Sequence, residues 1–254
     1  MNSVLLYGGG IDSYIANFYI REVLQDFPQL VYYKLGHKYE KYEYETIKKH
    51  ANSVVEYVNS IKLGDTEQSD AFIPNRNLLL AMHAAGKFEA STVYIVGSKS
   101  DRVSDNNKEI MDDLSNIISK SLSRRVVVTS PFWNVYKEDM VDWYVKYFGT
   151  PTKLLTETFS CYNGNPSRKI VYKDLLLEIE NKANIKECLN CPACFRKCAV
   201  LFKTGIYVKF ENIHIVNRYR KEFSITIEET PRTKNTIKYI NRLMDDLDGK
   251  KKKE

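Results

Sequence analysis

Two groups of residues in this sequence have the types and spacing to do chemistry. The first is Gly8-Gly9-Gly10-Ile11-Asp12-Ser13, directly after the apolar run Val4 to Tyr7. Glycines let a backbone approach a ligand closely, and a helix starting here would present unpaired N–H groups. That combination cradles phosphate. No Gly-Lys-Ser/Thr follows, so this is not a Walker loop, and Ser13 stands where a dinucleotide fingerprint needs its third glycine. A tight strand-to-helix turn with no ligand accounts for the same residues equally well. The second group is Cys188, Cys191 and Cys194, whose two successive x2 spacings let one metal ion take all three thiolates. Cys161 supplies a fourth ligand if the fold returns it across 26 intervening residues, and Cys198 competes for that place. Four thiolates suit a closed structural zinc, with an iron–sulfur cluster as the rival occupant. Buried free thiols or a redox CxxC pair are the readings without metal. His37, His50, His83 and His214 all lie far from the cysteines in the chain.

The elements that must position these groups alternate. Val4 to Tyr7, Leu30 to Leu35, Thr92 to Val96 and Val126 to Val128 read as buried strands. Between them lie helical stripes. Ile15, Tyr19, Val23 and Phe27 mark the first, with Asp12-Ser13 offering its N-cap and Pro28 its stop. Ile47, Ala51, Val54, Val55 and Val58 mark a second helix, Leu78 to Ala85 a third, and Ile110, Leu114, Ile117 and Ile118 a fourth. Met140, Val141, Tyr144 and Val145 belong to another. This alternation predicts an α/β fold with a doubly wound parallel sheet. Ligands of such sheets bind at the carboxyl ends of the strands, where Gly8 to Ser13, Gly97 to Asp105 and Ser130-Pro131 fall. Beyond the cysteines, Ile206 to Phe210, Ile213 to Val216 and Phe223 to Ile227 read as short strands and Thr236 to Leu247 as a helix.

Composition narrows the class. The 254 residues carry 43% apolar and 28% charged side chains, ordinary for a globular chain with a real core. Five cysteines are too few, and odd in number, for a secreted disulfide scaffold. No apolar stretch is long enough for a membrane span. Met1-Asn2-Ser3 runs straight into a strand-like segment, so neither a signal peptide nor a membrane partner is expected, and the location expected is cytoplasmic. Net charge is +6, but residues 205–254 hold twelve Lys or Arg against eight Asp or Glu. Most of the excess therefore sits outside the candidate catalytic part, and stable nucleic-acid binding is not expected.

In order along the chain these segments resemble the PP-loop ATP pyrophosphatases, and among them the 7-cyano-7-deazaguanine synthase family. Gly9-Gly10-Ile11-Asp12-Ser13 looks like the pyrophosphate loop, and Pro74-Asn75-Arg76-Asn77 like that family's Pro-x-Arg-Asn segment. Gly97, Asp101, Asp105 and Glu109 fit its pattern after the next strand, and Ser130-Pro131 with Lys137 its later stretch. Thr158-x-Ser160-Cys161-Tyr162 and Cys188, Cys191 and Cys194 resemble its metal-site segments. The resemblance runs from residue 4 to about residue 200.

It implies a five-stranded parallel sheet, a structural zinc, a homodimer, and conversion of 7-carboxy-7-deazaguanine, ammonia and ATP to the nitrile through an adenylated acid. That product would feed queuosine-type tRNA modification or a deazaguanine modification of DNA. Under this resemblance the amides of Gly8, Gly9, Gly10, Ile11, Asp12 and Ser13 hold the phosphates, Asp12 positions Mg²⁺, and Arg76 meets the charge on leaving pyrophosphate. Asp101, Asp105 and Glu109 face the guanine-like edge, and Lys137 contacts phosphate. Zn²⁺ takes Cys161, Cys188, Cys191 and Cys194, leaving Cys198 spare. The domains expected are a nucleotide-binding part at 1–155, a cysteine-rich part at 156–204 and an α+β extension at 205–254.

Two departures stand out. Gly8 replaces the usual Ser of the loop, and Asn163 to Glu187 is an insertion in which Val171, Leu175, Leu176 and Ile179 have helical spacing. They keep two alternatives in play. One is a related adenylating enzyme acting on another acid, a nucleic acid or a protein terminus. The other is a nucleotide-binding protein with reduced catalysis.

Overall fold

The computed structural model describes residues 2–51, 54–101, 106–163, 187–210, 212–225 and 228–251. The chain forms two compact units, one of Met1–Val135 with Glu157–Phe159 and one of Tyr136–Thr156 with Ser160–Glu254.

The first unit is built on five parallel strands, β1 (Ser3–Leu6), β2 (Gln29–Tyr33), β3 (Val55–Val58), β4 (Thr92–Tyr94) and β5 (Val127–Thr129). Their spatial order is β3-β2-β1-β4-β5. Helices α1 (Ile11–Glu22), α2 (Glu40–His50), α3 (Arg76–Lys87) and α4 (Lys108–Ser121) connect them. The strands are apolar at successive positions because both faces are covered. Val4, Val31, Val58, Val93 and Val128 share one core with α3 and α4 residues such as Ala81, Ala84, Met111 and Leu114. Leu5, Leu30 and Tyr32 point to the other face by the pleat, where the Tyr32 hydroxyl donates to Glu43 of α2 at 2.9 Å. A helix returning the chain between parallel strands runs against them, so all four helices start at the carboxyl edge of the sheet. The strand order reverses between β1 and β4, and that is where such sheets open a crevice.

Three readings of the sequence are corrected in this unit. Val55 and Val58 belong to the edge strand β3, paired with β2 from Leu30↔Val55 to Tyr33↔Val58, and not to the second helix. That helix ends at His50, with the Ala51 amide bonded to the Ile47 carbonyl, and Val54 is exposed. The Val-x-x-Val pattern fits either period over so few residues, and the partner strand decides. Helix α1 stops at Glu22, which leaves Phe27 69% exposed, because Gln25 takes a positive φ of 53°. Asp26 then turns inward to accept from Ser3 at 2.7 Å and Tyr94 at 2.9 Å. At the other end of α1 the N-cap is Gly10, and Asp12 and Ser13 lie inside the first turn.

Among the described residues the second unit is helical: α5 (Lys137–Phe148), α6 (Pro151–Thr156), α7 (Pro192–Phe202), α8 (Ile213–Ser224) and α9 (Pro231–Lys251). Helix α7 packs against the other four. Its Phe195 stacks on Tyr219 of α8 at 4.4 Å and meets Phe210 edge-on at 5.3 Å. The expected strand at Ile213 to Val216 is instead the first turn of α8. Asn212 caps it by accepting from the amides of His214 and Ile215, and Val216, Tyr219 and Phe223 form its buried stripe. Ile206 to Phe210 is largely buried but joins no sheet among the described residues, and its Val208 carbonyl accepts from the Tyr239 hydroxyl at 2.7 Å. The helix expected at Thr236 to Leu247 is present within the longer α9. The strand expected at Phe223 to Ile227 starts within α8, which runs to Ser224, and Ile227 lies outside the described residues, as does the inserted helix expected around Val171 to Ile179. Among the described residues, no helix is long and apolar enough to cross a membrane.

Candidate functional site

The glycine loop joins β1 to α1 beside the point where the sheet order reverses. Gly9 has φ 69°, and a Cβ there would sit 2.8 Å from Ile47 Cγ1. Its carbonyl accepts from the Phe159 amide at 2.9 Å, and Phe159 stacks on Tyr42 with ring centres 6.0 Å apart. The Tyr14 hydroxyl donates to Glu157 at 2.6 Å, so the 157–159 segment is pinned against the loop from two sides. The N-cap of α1 is Gly10, which makes no side-chain cap bond. The Gly10 carbonyl takes the first intrahelical bond, from the Tyr14 amide at 3.0 Å, and also accepts from Ser13 Oγ at 3.1 Å. The amides of Ile11, Asp12 and Ser13 therefore precede any intrahelical partner and form a donor set suited to an anion. Asp12 is half-buried, with Oδ1 out of solvent.

Position 8 differs sharply from position 9. A Cβ on Gly8 would meet nothing within 4 Å, and its φ is not positive. We expect Gly8→Ser to change stability by no more than ~0.5 kcal/mol. Gly9→Ala should cost roughly 1–3 kcal/mol, through a strained φ and a crowded Ile47. Thermal or urea denaturation of the two variants checks the contrast, and equal losses would refute it.

The carboxyl end of β4 supplies the next group. Gly97 accommodates Trp133, whose ring would lie 2.2 Å from a Cβ there. Ser130 Oγ donates to the Gly97 carbonyl at 2.5 Å and accepts from its amide at 3.1 Å, tying the ends of β4 and β5 together. Asp101 accepts from the amide and hydroxyl of Ser98 at 2.8 and 3.1 Å, so its carboxylate organises its own turn. Glu109 is exposed in the first turn of α4, which Asn107 caps. Asp105 lies outside the described residues. Arg76 opens α3 after Asn75, which takes a left-handed φ of 57°. The Arg76 side chain is half-buried, reaches Asn77 at 3.4 Å, and forms no ion pair among the described residues. Lys137 opens α5 in the second unit.

The second unit carries the four-sulfur site. The sulfurs of Cys161, Cys188, Cys191 and Cys194 all lie within 4.8 Å of one another and all four residues are buried. Cys161 and Cys191 are 4.0 Å apart and Cys188 and Cys194 are 3.9 Å apart. Tetrahedral thiolates at a zinc–sulfur length of ~2.3 Å stand ~3.8 Å apart, so the four fit one ion. Backbone amides of Asn163 and Asn190 point at Cys161 and Cys188, both at 3.3 Å, as suits sulfurs bearing charge. Hydrogen bonding with Cys161 holds Cys188 and Cys191 below the ordinary thiol range. Bonding to Cys188 and to Cys161 pushes Cys161 and Cys194, respectively, above it. A divalent cation held by these four residues would end that competition for protons by taking all four as thiolates. These four cysteines form a metal-binding cluster. Cys198 stands apart from it, with its thiol pushed up to about 12 by burial.

Reading the sequence missed two features of this region. One is the anchoring of Gly9 by Phe159, which no local pattern signals. The other is an ion pair between Glu187 and Lys197 at 3.0 Å, both side chains 1% exposed. Helical spacing did carry a trace of it, since Lys197 falls on the face shared by Cys194 and Leu201.

No curated protein sequence is significantly similar to this chain. The family model described as "Queuosine biosynthesis protein QueC" matches residues 52–204. That segment runs from just before β3 to beyond α7, taking in Arg76 and all four clustered cysteines, with the glycine loop N-terminal to it. The match spans about 60% of the chain, and the parallel five-stranded sheet and cysteine cluster agree with it. The chain is therefore a divergent member of the QueC family of PP-loop enzymes.

Proposed function

We propose that this enzyme converts 7-carboxy-7-deazaguanine, ammonia and ATP to 7-cyano-7-deazaguanine. The observation that carries the reading is the glycine-capped start of α1 behind the glycine loop, at the reversal point of the sheet, in a QueC-family chain. The amides there receive the phosphates of ATP, and Asp12 orients Mg²⁺ directly or through water. The substrate carboxylate forms a bond to the α-phosphorus while the bond to pyrophosphate breaks. Ammonia then adds to the acyl carbon and AMP departs, leaving an amide. A second ATP then adenylates the amide oxygen with release of pyrophosphate, and loss of the two N–H protons with departure of AMP, which carries the oxygen, leaves the nitrile. Nothing in this sequence needs a strong side-chain base, so positioning and charge neutralisation dominate. Arg76 at the carboxyl edge is our choice for the cation beside the departing pyrophosphate. Asp101, Asp105 and Glu109 recognise the purine-like edge.

The metal in this reading is zinc, which closes the four-thiolate site and supplies fold stability without an open coordination position. Sulfurs within 4.8 Å suit a single ion better than a multi-iron cluster, whose irons each take a different thiolate. The reading also includes a homodimer.

The test is pyrophosphate release from ATP, Mg²⁺ and ammonium, with and without 7-carboxy-7-deazaguanine, followed by mass detection of the nitrile. We expect release that depends on the acid. Release only on adding tRNA, DNA or protein would favour the alternative adenylating enzyme. ATP binding with no release under any condition would favour nucleotide binding without turnover, to which Gly8 lends support by removing a hydroxyl from the loop.

A further inference from the structure

Four ligands from one short segment assemble almost by themselves, but this cluster draws its fourth from a distance. Cys188, Cys191 and Cys194 arrive together at the start of α7, whereas Cys161 precedes them by 26 intervening residues. Forming the site is therefore chiefly a matter of holding the Cys161 segment against the other three.

One carboxylate bridges the two segments, beside the bond from the Cys188 amide to the Cys161 sulfur at 3.4 Å. Glu187 immediately precedes Cys188, and its Oε1 accepts the amide of Ser160, which immediately precedes Cys161, at 2.6 Å. The same oxygen receives Lys197 Nζ at 3.0 Å. Lys197 lies on α7 three residues past Cys194 and reaches back to the Leu155 carbonyl at 3.5 Å. A single oxygen thus joins the residue before one ligand, the residue before another, and the helix that the third caps and the fourth sits in.

A buried pair of this kind is a weak source of net stability, because desolvating both charges offsets much of their attraction. Its worth lies in geometry and charge. Four thiolates around a divalent cation leave two excess negative charges. Glu187 adds another beside them, out of water, and Lys197 cancels it.

We propose that Glu187 and Lys197 are positioning residues for the metal cluster, setting how tightly it holds its ion. The proposal rests on the metal-binding reading of the four cysteines. Removing the cation alone should be worst, since it strands the Glu187 carboxylate next to a centre already negative. Outer-shell changes of this sort commonly weaken metal binding ~10–100-fold.

The experiment is a competition titration of the full chain against a chromophoric zinc chelator, together with the thiolate charge-transfer band of the cobalt-loaded protein. Lys197→Met should weaken zinc binding by ~10-fold or more while the cobalt band still reports four thiolates. Lys197→Met combined with Glu187→Gln should recover much of the loss, because the stranded charge is gone and the amide oxygen still accepts from Ser160. Glu187→Gln alone keeps volume and should bind zinc less tightly than wild type but better than Lys197→Met. It carries the test if Lys197→Met fails to fold. Zinc affinity within ~3-fold of wild type in both single variants would overturn the proposal, as would a double variant no better than Lys197→Met. A wild-type chain that takes up neither zinc nor cobalt would overturn the metal reading itself.

Discussion

Cys194→Ser, or removal of the metal by a strong chelator, is expected to destabilise the helical unit severely. All four clustered cysteines are buried, and Cys194 has no exposed surface. Without a cation these sulfurs return to sharing protons inside the protein, and the Cys161 segment loses its link to α7. Structural zinc contributes ~10–16 kcal/mol to folding in small peptides. Helix α7 also has an aromatic core around Phe195, so we expect a smaller loss here. Even ~5 kcal/mol would lower a melting midpoint by roughly 10–20 °C in a domain of this size. Calorimetry with elemental analysis checks this. Cys198→Ala is the control, expected to keep a full equivalent of metal because Cys198 lies outside the cluster. A Cys194→Ser protein that melts normally with its metal in place would refute the assignment.

Arg76→Met is expected to slow acid-dependent pyrophosphate release by ~10²-fold or more, the scale on which single charge-stabilising groups act. The same variant should melt within a few degrees of wild type. The half-buried Arg76 makes one long bond to Asn77 and no ion pair among the described residues, so little of the fold depends on it. Arg76→Lys should recover part of the rate, since a point charge replaces a planar fork. A large fall in melting temperature with Arg76→Met would mark the residue as structural. An unchanged rate in a well-folded variant would remove it from the proposed chemistry.

Much of the scaffold was legible because it is local. Four of the five strands are apolar runs, and α1, α3 and α4 have clear stripes, whereas of the residues that mark the second helix in sequence only Ile47 lies in α2. The fifth, β3, fits a helix in sequence because Val54, Val55 and Val58 satisfy helical spacing when joined to Ile47 and Ala51. Only pairing with β2 distinguishes the two. The same ambiguity ran the other way at Ile213 to Val216, where a short β-branched run is the start of a helix. At the candidate site the glycine loop was visible from its composition. Its anchoring by Phe159 was not, since that bond joins residues 150 positions apart.

By itself the sequence determined the alternating architecture, the glycine loop after the first strand, and three metal ligands spaced on one short segment. These are properties of neighbours, set by side-chain periodicity and by what a glycine backbone permits. The tertiary structure decided how distant segments close on one another. It brought Cys161, and not Cys198, to the other three sulfurs, placed β3 at the edge of the sheet, and put the charges of Glu187 and Lys197 together out of water. Helical phase alone puts Cys198 close to the face of Cys194. Yet Cys198 lies outside the cluster, while the carboxylate of Glu187 ties the residue before Cys161 to the residue before Cys188.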